Sequence, residues 1–245
     1  IVLDPVGCHA GGYRLSVVLD LIKTDAISLL RGNQSEIKAI YDALNTNHKI
    51  DSSLSGKGVD GEQVEDSAII TYRLARQINC PVVATGEEDY VSDGTRVFAV
   101  PHGHPIMTAV TGTGCLLGDV LAAFFSSYCP FMYNMPIGEF LAYALAYYGL
   151  AGESAVNVSG VKPGSFSMAF MDALYEFDDA MLLSENRIRP VVVPDQLKVY
   201  FIGGTQDVGF NESHLLDIVE AACRGGATCF QFREKGIGTL EGQQK

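Results

Sequence analysis

With 245 residues, 47% of them hydrophobic, the chain is long enough to bury one or two cores, and a charged fraction of 19% argues against disorder. Its formal net charge of −12, with no basic stripe, excludes nucleic acid and anionic membranes as partners. Any phosphate site must therefore use backbone donors and a few chosen cations. Six cysteines, at positions 8, 80, 115, 129, 223 and 229, form no Cys-x-x-Cys pair and read as reduced thiols of a cytoplasmic protein.

The chain starts with Ile1 rather than Met, at what reads as the end of a β-strand, and is expected to be a fragment. This first apolar run closes in Asp4-Pro5-Val6-Gly7. Residues just past the carboxyl end of a parallel strand face the ligand crevice, where Asp4 would hold a metal or polarise a substrate; a turn-starting Asp-Pro explains the same residues. Residues 14–24 have helical spacing through Leu15, Val18, Leu19 and Ile22, and residues 26–30 read as the next strand. In Arg31-Gly32-Asn33-Gln34-Ser35-Glu36, the spacing of Asn33 and Glu36 is that of a capping box, whereas Arg31 is not needed for a cap and suits bidentate pairing with phosphate. Residues 45–61 read as a polar loop, 62–79 as an amphipathic helix, and 81–84 as a buried strand ending at Thr85-Gly86. Tyr90-Val91 and residues 96–100, split by Ser92-Asp93-Gly94-Thr95, predict a hairpin. His102 and His104 share a Gly/Pro loop without a third ligand and read as polar loop residues rather than a metal site.

Val110-Thr111-Gly112-Thr113-Gly114-Cys115 then precedes an apolar, helix-length run. A Gly-Thr-Gly turn opening a helix presents unpaired N–H groups and the positive end of the helix dipole, a setting for a phosphate or a developing anion. Cys115 falls in the first turn, where the same field favours thiolate. A plain tight turn and an inert cysteine explain these residues equally well when they stand alone. The segments 116–132 and 137–151 are interrupted by Asp119, Pro130 and Glu139 and read as buried helices rather than membrane spans. A last helix covers 167–177, behind Gly164-Ser165-Phe166. Alternating strands and helices predict an α/β class with a mainly parallel sheet.

Eight short motifs now stand in register: Asp4-Pro5-Val6-Gly7, Arg31 to Glu36, Val83-Ala84-Thr85-Gly86, Asp89-Tyr90-Val91, Gly103-His104-Pro105, Thr111 to Cys115, Ala151-Gly152-Glu153 and Pro163-Gly164-Ser165-Phe166. Together they closely resemble hydroxyethylthiazole kinase, a family of the ribokinase-like superfamily, from Ile1 to about Phe177. Relative to that family the chain is expected to lack an N-terminal third. The resemblance implies a three-layer α/β/α fold, cytoplasmic and homotrimeric. It also implies transfer of the ATP γ-phosphoryl to the primary alcohol of 4-methyl-5-(2-hydroxyethyl)thiazole in thiamine salvage. By position it implies that Arg31 and Thr85 contact ATP, that Asp4 and Glu36 with Asn33 order Mg²⁺ and its waters, and that Gly112 touches the thiazole. Gly112, Thr113, Gly114 and Cys115 would form the anion hole, with Cys115 assisting where sugar kinases carry an Asp base. Another ribokinase-like kinase, acting on a hydroxymethylpyrimidine, and an inactive fragment are the alternatives.

Beyond the kinase-like residues 1–180, residues 181–197 read as a linker, extended through Arg189-Pro190-Val191-Val192-Val193-Pro194-Asp195. Residues 198–245 begin a new unit: a strand over 198–202, an amphipathic helix over 212–224 capped by Gly225-Gly226, and a strand over 228–232. Gln231-Phe232-Arg233-Glu234-Lys235 resembles the motif with which thiamine-phosphate synthase, a TIM-barrel enzyme, holds its pyrimidine pyrophosphate. One βαβ unit of eight is a truncated barrel start, so no synthase activity is expected of it. The parent protein is expected to be a bifunctional thiamine enzyme.

Overall fold

Leu29 and Leu30 are neighbours in one strand, yet each is buried in a different core, one on either face of the sheet. Val82, Val83 and Ala84 alternate in the same way. Side chains of period two, apolar on both faces, require cover on both sides, and the chain supplies it as two helical layers.

The computed structural model describes residues 1–45, 66–176, 179–185, 187–197 and 199–233. It divides into two compact units, Ile1–Val191 and Val192–Lys245. The first runs β1 (Val2–Leu3), α1 (Gly12–Ile22), β2 (Leu29–Asn33), α2 (Gln34–Asn45), α3 (Ser67–Ile78), β3 (Val82–Thr85), β4 (Asp89–Ser92), β5 (Val97–Val100), α4 (Thr113–Ser127), α5 (Pro130–Tyr133), α6 (Ile137–Ser159), α7 (Pro163–Glu176), α8 (Asp179–Glu185) and β6 (Arg189–Val191). Helices α1, α2 and α3 bring Leu15, Val18, Ile37, Ile40 and Leu74 to one face; α4, α6 and α7 bring Leu117, Leu121, Leu141, Leu145, Phe166 and Phe170 to the other. Among the described residues no helix is long and apolar enough to cross a membrane, and all six cysteines are free.

The six strands lie in sequence order. The β1–β2 and β2–β3 pairings are parallel, whereas β3–β4, β4–β5 and β5–β6 are antiparallel. The expectation of a mainly parallel sheet is corrected: the sheet is mixed, because the hairpin of β4 and β5 and the returning β6 form its second half. The stretch read as an extended linker is corrected in part, since Arg189–Val191 pairs with Val97–Ala99 in this sheet. Two further boundaries move. The second strand is Leu29–Asn33, since its ladder continues until Asn33 lies opposite Thr85. The last helix of the kinase-like stretch starts at Pro163, whose missing N–H costs nothing in the first turn, and it buries Phe166 completely. The predicted loop after Asn45 and the first residues of the helix predicted from 62 lie outside the described residues.

In the second unit, β7 (Tyr200–Gly203) and β8 (Cys229–Phe232) pair in parallel across α9 (Glu212–Arg224). Asn211 caps α9 by accepting from the His214 N–H, and Phe201 stacks on Phe230 with ring centroids 5.5 Å apart.

Helix α6 is buried along most of its length and packs against α4, α7, β4 and β5. Such crowding needs small residues. A Cβ on Gly149 would stand 2.5 Å from the His102 Cβ, 2.7 Å from its carbonyl carbon and 2.9 Å from the Gly103 nitrogen, two of them backbone atoms. Alanine gains about 1 kcal/mol of helix propensity over glycine, but overpacking against atoms that cannot yield costs about 1–3 kcal/mol. Gly149→Ala is therefore expected to lower the urea midpoint despite its better propensity; a raised midpoint would refute this packing account.

Candidate active site

Arg31 stands in the carboxyl half of β2, between β1 and β3. The register places Leu3 beside Leu30 and Asn33 beside Thr85, so Asp4, Arg31 and Thr85 emerge at one edge of the sheet. The Arg31 guanidinium is buried; its Nη1 donates to Asp4 Oδ2 at 2.8 Å and its Nη2 to Thr85 Oγ1 at 3.4 Å. Its Nε is buried and meets no acceptor among the described residues. The Thr85 hydroxyl donates in turn to the Gly32 carbonyl at 3.3 Å.

Helix α4 points its N-terminus at this edge. Gly112, in the left-handed region at φ 98°, turns the chain into the helix, and its carbonyl accepts from the Leu116 N–H at 2.8 Å. The Thr113 N–H reaches back to the Val110 carbonyl at 3.4 Å, and the Thr113 hydroxyl is committed to the carbonyls of Met107 and Val110. The N–H groups of Gly114 and Cys115 meet no acceptor among the described residues. A Cβ on Gly114 would lie 3.3 Å from Arg31 Nη2, so the cation lies against the first turn of α4. Cys115 is exposed. Of the four residues expected to form an anion hole, Gly112, Gly114 and Cys115 thus keep N–H groups without an acceptor among the described residues, while the Thr113 N–H is bonded to Val110.

Asp4, Asn33 and Glu36 stand at the ends of β1 and β2 and in the first turn of α2. Asn33 and Glu36 do form a capping box: the Asn33 N–H donates to Glu36 Oε2 and the Glu36 N–H to Asn33 Oδ1, each at 2.8 Å. Glu36 Oε1 accepts from the Gly7 N–H at 2.7 Å, which ties the turn after β1 to the start of α2. Asp4 pairs with Arg31. Among the described residues, no three His, Cys, Asp or Glu side chains gather as a metal cluster. The donors present are carboxylate and amide oxygens, and each keeps lone pairs beyond the bond it already accepts. Such a set fits Mg²⁺ that retains its waters and leans on substrate phosphates, rather than a protein cage.

Two groups carry more than their sequence setting indicates. His102 lies in the loop that the sequence indicates, but its side chain is buried there. Its Nε2 accepts from the Arg187 N–H at 2.9 Å, which leaves Nδ1 to donate to Glu153 Oε1 at 3.2 Å, while Arg187 Nη2 also reaches that oxygen at 2.6 Å. Burial pushes its imidazole pKa down, against the pull of Glu153. His104 is also committed, its Nδ1 accepting from the Ile106 N–H at 3.2 Å. Asp89, whose Oδ1 accepts from the Gly86 N–H at 2.9 Å, stands where β3 turns into β4. Its burial pushes the carboxyl pKa up to about 7, outweighing the Gly86 N–H and the Arg31 charge. In sequence, Asp89-Tyr90-Val91 marks a motif without indicating this role.

The model of the hydroxyethylthiazole kinase family matches residues 1–180. The chain belongs to that family. It is 41% identical over 186 residues to a hydroxyethylthiazole kinase of Streptococcus agalactiae, covering 76% of this chain and 68% of the relative. It is 38% identical to one of Moorella thermoacetica, covering 77% and 65%. The solved structure of a hydroxyethylthiazole kinase protein from Pyrococcus horikoshii is similar at a TM-score of 0.64 with 32% identity, covering 78% of this chain and 65% of that one. The chain thus spans about two thirds of the length of these relatives. The family is one of kinases, phosphotransferases by chemistry.

Asp89 gives a pH prediction. An aspartate whose folded pKa is raised favours folding in its neutral form, so its contribution is full below the unfolded value near 4 and is lost as pH rises through about 7. Asp89→Asn keeps an acceptor for the Gly86 N–H without the ionisation. Its urea midpoint is expected to fall less than that of the parent protein between pH 4 and 7; parallel curves would refute the assignment.

Proposed function

We propose that this chain carries the phosphoryl-transfer site of a hydroxyethylthiazole kinase, with ATP as donor and the primary alcohol of 4-methyl-5-(2-hydroxyethyl)thiazole as acceptor, in thiamine biosynthesis. The observation that carries the reading is the meeting of a buried Arg31 guanidinium with the open N–H donors of Gly114 and Cys115. Phosphoryl transfer asks chiefly for positioning and for neutralisation of charge on the transferring oxygens. A fixed cation beside a helix N-terminus supplies both.

In this reading Arg31 and Thr85 hold the ATP phosphates, Gly112 lies against the thiazole, and Gly114 and Cys115 donate to the group in transfer. A bond forms from the acceptor oxygen to the γ-phosphorus as the bond to ADP breaks, and the hydroxyl proton leaves toward Cys115 and solvent. Cys115 assists this departure rather than serving as a full general base. Asp4, Asn33 and Glu36 would hold Mg²⁺ through its waters; when bound, the ion neutralises phosphate charge. A homotrimeric assembly and a cytoplasmic location belong to the same reading and rest on the family resemblance. For residues 198–245 the reading is a barrel start of the thiamine-phosphate synthase kind, in a bifunctional parent. It is supported by the parallel β7–α9–β8 unit and by Gln231, Phe232 and Arg233 at the end of β8, while Glu234 and Lys235 lie outside the described residues.

The test is ³¹P NMR of this chain, and of any longer chain that contains it, with ATP, Mg²⁺ and hydroxyethylthiazole. Phosphorylated hydroxyethylthiazole is expected, with kcat falling roughly ten- to hundredfold in Cys115→Ser, short of the ~10²–10⁴ of a full general base. Turnover of a hydroxymethylpyrimidine in its place, or none by a folded longer chain, would overturn the assignment.

A further inference from the structure

Tyr148 lies inside α6, 35 residues along the chain from the turn that opens α4, and its hydroxyl donates to the Thr113 carbonyl at 2.5 Å. The residue is buried, and its ring stands edge-on to Phe170 with centroids 5.0 Å apart; Phe170 stacks in turn on Phe166. The hydroxyl is thus delivered by a ring fixed in the core, not by a mobile surface side chain.

The Thr113 carbonyl and the Gly114 N–H belong to a single peptide unit. That unit is planar, with C=O and N–H pointing in opposite directions, so holding the carbonyl on one side aims the N–H to the other. Gly112 and Gly114 flank Thr113, and glycine leaves the backbone on either side permissive. The Gly114 N–H meets no acceptor among the described residues, and Arg31 lies against Gly114. A hydrogen bond to the carbonyl also polarises the amide and strengthens its N–H as a donor.

We infer that Tyr148 is a positioning residue of the phosphoryl-transfer site, its hydroxyl holding the Thr113–Gly114 peptide so that the Gly114 N–H points at the anion; this rests on the function proposed above. Burial pushes the Tyr148 phenol pKa up, against the nearby Arg31 charge, so it stays a neutral donor over the ordinary pH range. The inference differs from a packing role because Tyr148→Phe removes the donor and leaves the ring on Phe170.

The experiment follows the Gly114 amide resonance in ¹⁵N-glycine-labelled protein titrated with inorganic phosphate, alongside steady-state kinetics. In the parent protein the resonance is expected to move with phosphate. In Tyr148→Phe the response is expected to shrink severalfold, while near-ultraviolet dichroism stays native. With hydroxyethylthiazole, kcat is expected to fall roughly tenfold to a hundredfold at a KM within about twofold, on the scale of losing an oxyanion donor or less. If Tyr148→Phe does not fold, 3-fluorotyrosine incorporated at position 148 decides, since a more acidic phenol is expected to move the free Gly114 resonance downfield and to keep the phosphate response. Equal phosphate responses in parent and variant, an unmoved resonance with 3-fluorotyrosine, or a parent Gly114 that ignores phosphate would each overturn the inference. Loss of the response in Tyr148→Phe by a protein that phosphorylates no thiazole would sustain the positioned donor and overturn the substrate instead.

Discussion

A buried cation set against the positive end of a helix is the constraint from which the rest of this site follows. Arg31 and the first turn of α4 repel one another electrostatically, and Asp4, 2.8 Å away, pairs with the guanidinium and offsets its charge. The pair is partly buried, and removing Asp4 would leave the guanidinium without its paired carboxylate. An anion bound beside Arg31 and the first turn of α4 relieves the repulsion. That is why a small set of donors suffices in a chain of net charge −12: the overall field repels phosphates, and the local one attracts them.

The sheet divides along the same line. Its parallel half, β1 to β3, brings three carboxyl ends to one edge, and Asp4, Arg31 and Thr85 stand there because of the register. Its antiparallel half adds Asp89 where β3 turns into β4, then runs through β5 to β6. Beyond that hairpin, the buried His102, with Glu153 and the exposed Arg187, ties the chain just before β6 to α6. Helix α6 thus touches both Arg187, two residues before the closing strand, and, through Tyr148, the opening turn of α4. A shift of α6 would be felt at both, because packed interiors transmit displacement instead of absorbing it.

How far the sequence could be read depended on whether local pattern and tertiary role agree. They agree for β3, where an apolar run ends in Thr-Gly, and for α4, where Gly-Thr-Gly precedes an apolar stretch. They diverge at β2. Arg31, Gly32 and Asn33 look like loop because they are polar, yet they are strand, their polarity serving the crevice at its end. Tyr148 was invisible for the opposite reason: within a helix buried along most of its length, one more aromatic residue reads as core, and its hydroxyl gains meaning only from a carbonyl 35 residues away. The β4–β5 hairpin is legible in the sequence, but that it joins the edge of the parallel strands, and that Arg189–Val191 returns to pair with β5, is not.

Glu36 shows why competing readings of one residue need not exclude each other. Its spacing from Asn33 gives a capping box, and both of its oxygens accept backbone N–H groups, from Asn33 and Gly7. Those bonds account for a structural role in full. They also fix a buried negative charge at the start of α2 and join the turn after Asp4 to the end of β2, so that the segment carrying Asp4 and the strand carrying Arg31 cannot drift apart. A carboxylate oxygen held by one donor still has a lone pair for a water on a metal ion. The cap therefore sets the precision with which Asp4 and Arg31 face one another, and replacing it by a neutral cap of equal strength would keep the helix while removing the charge that a hydrated cation would recognise.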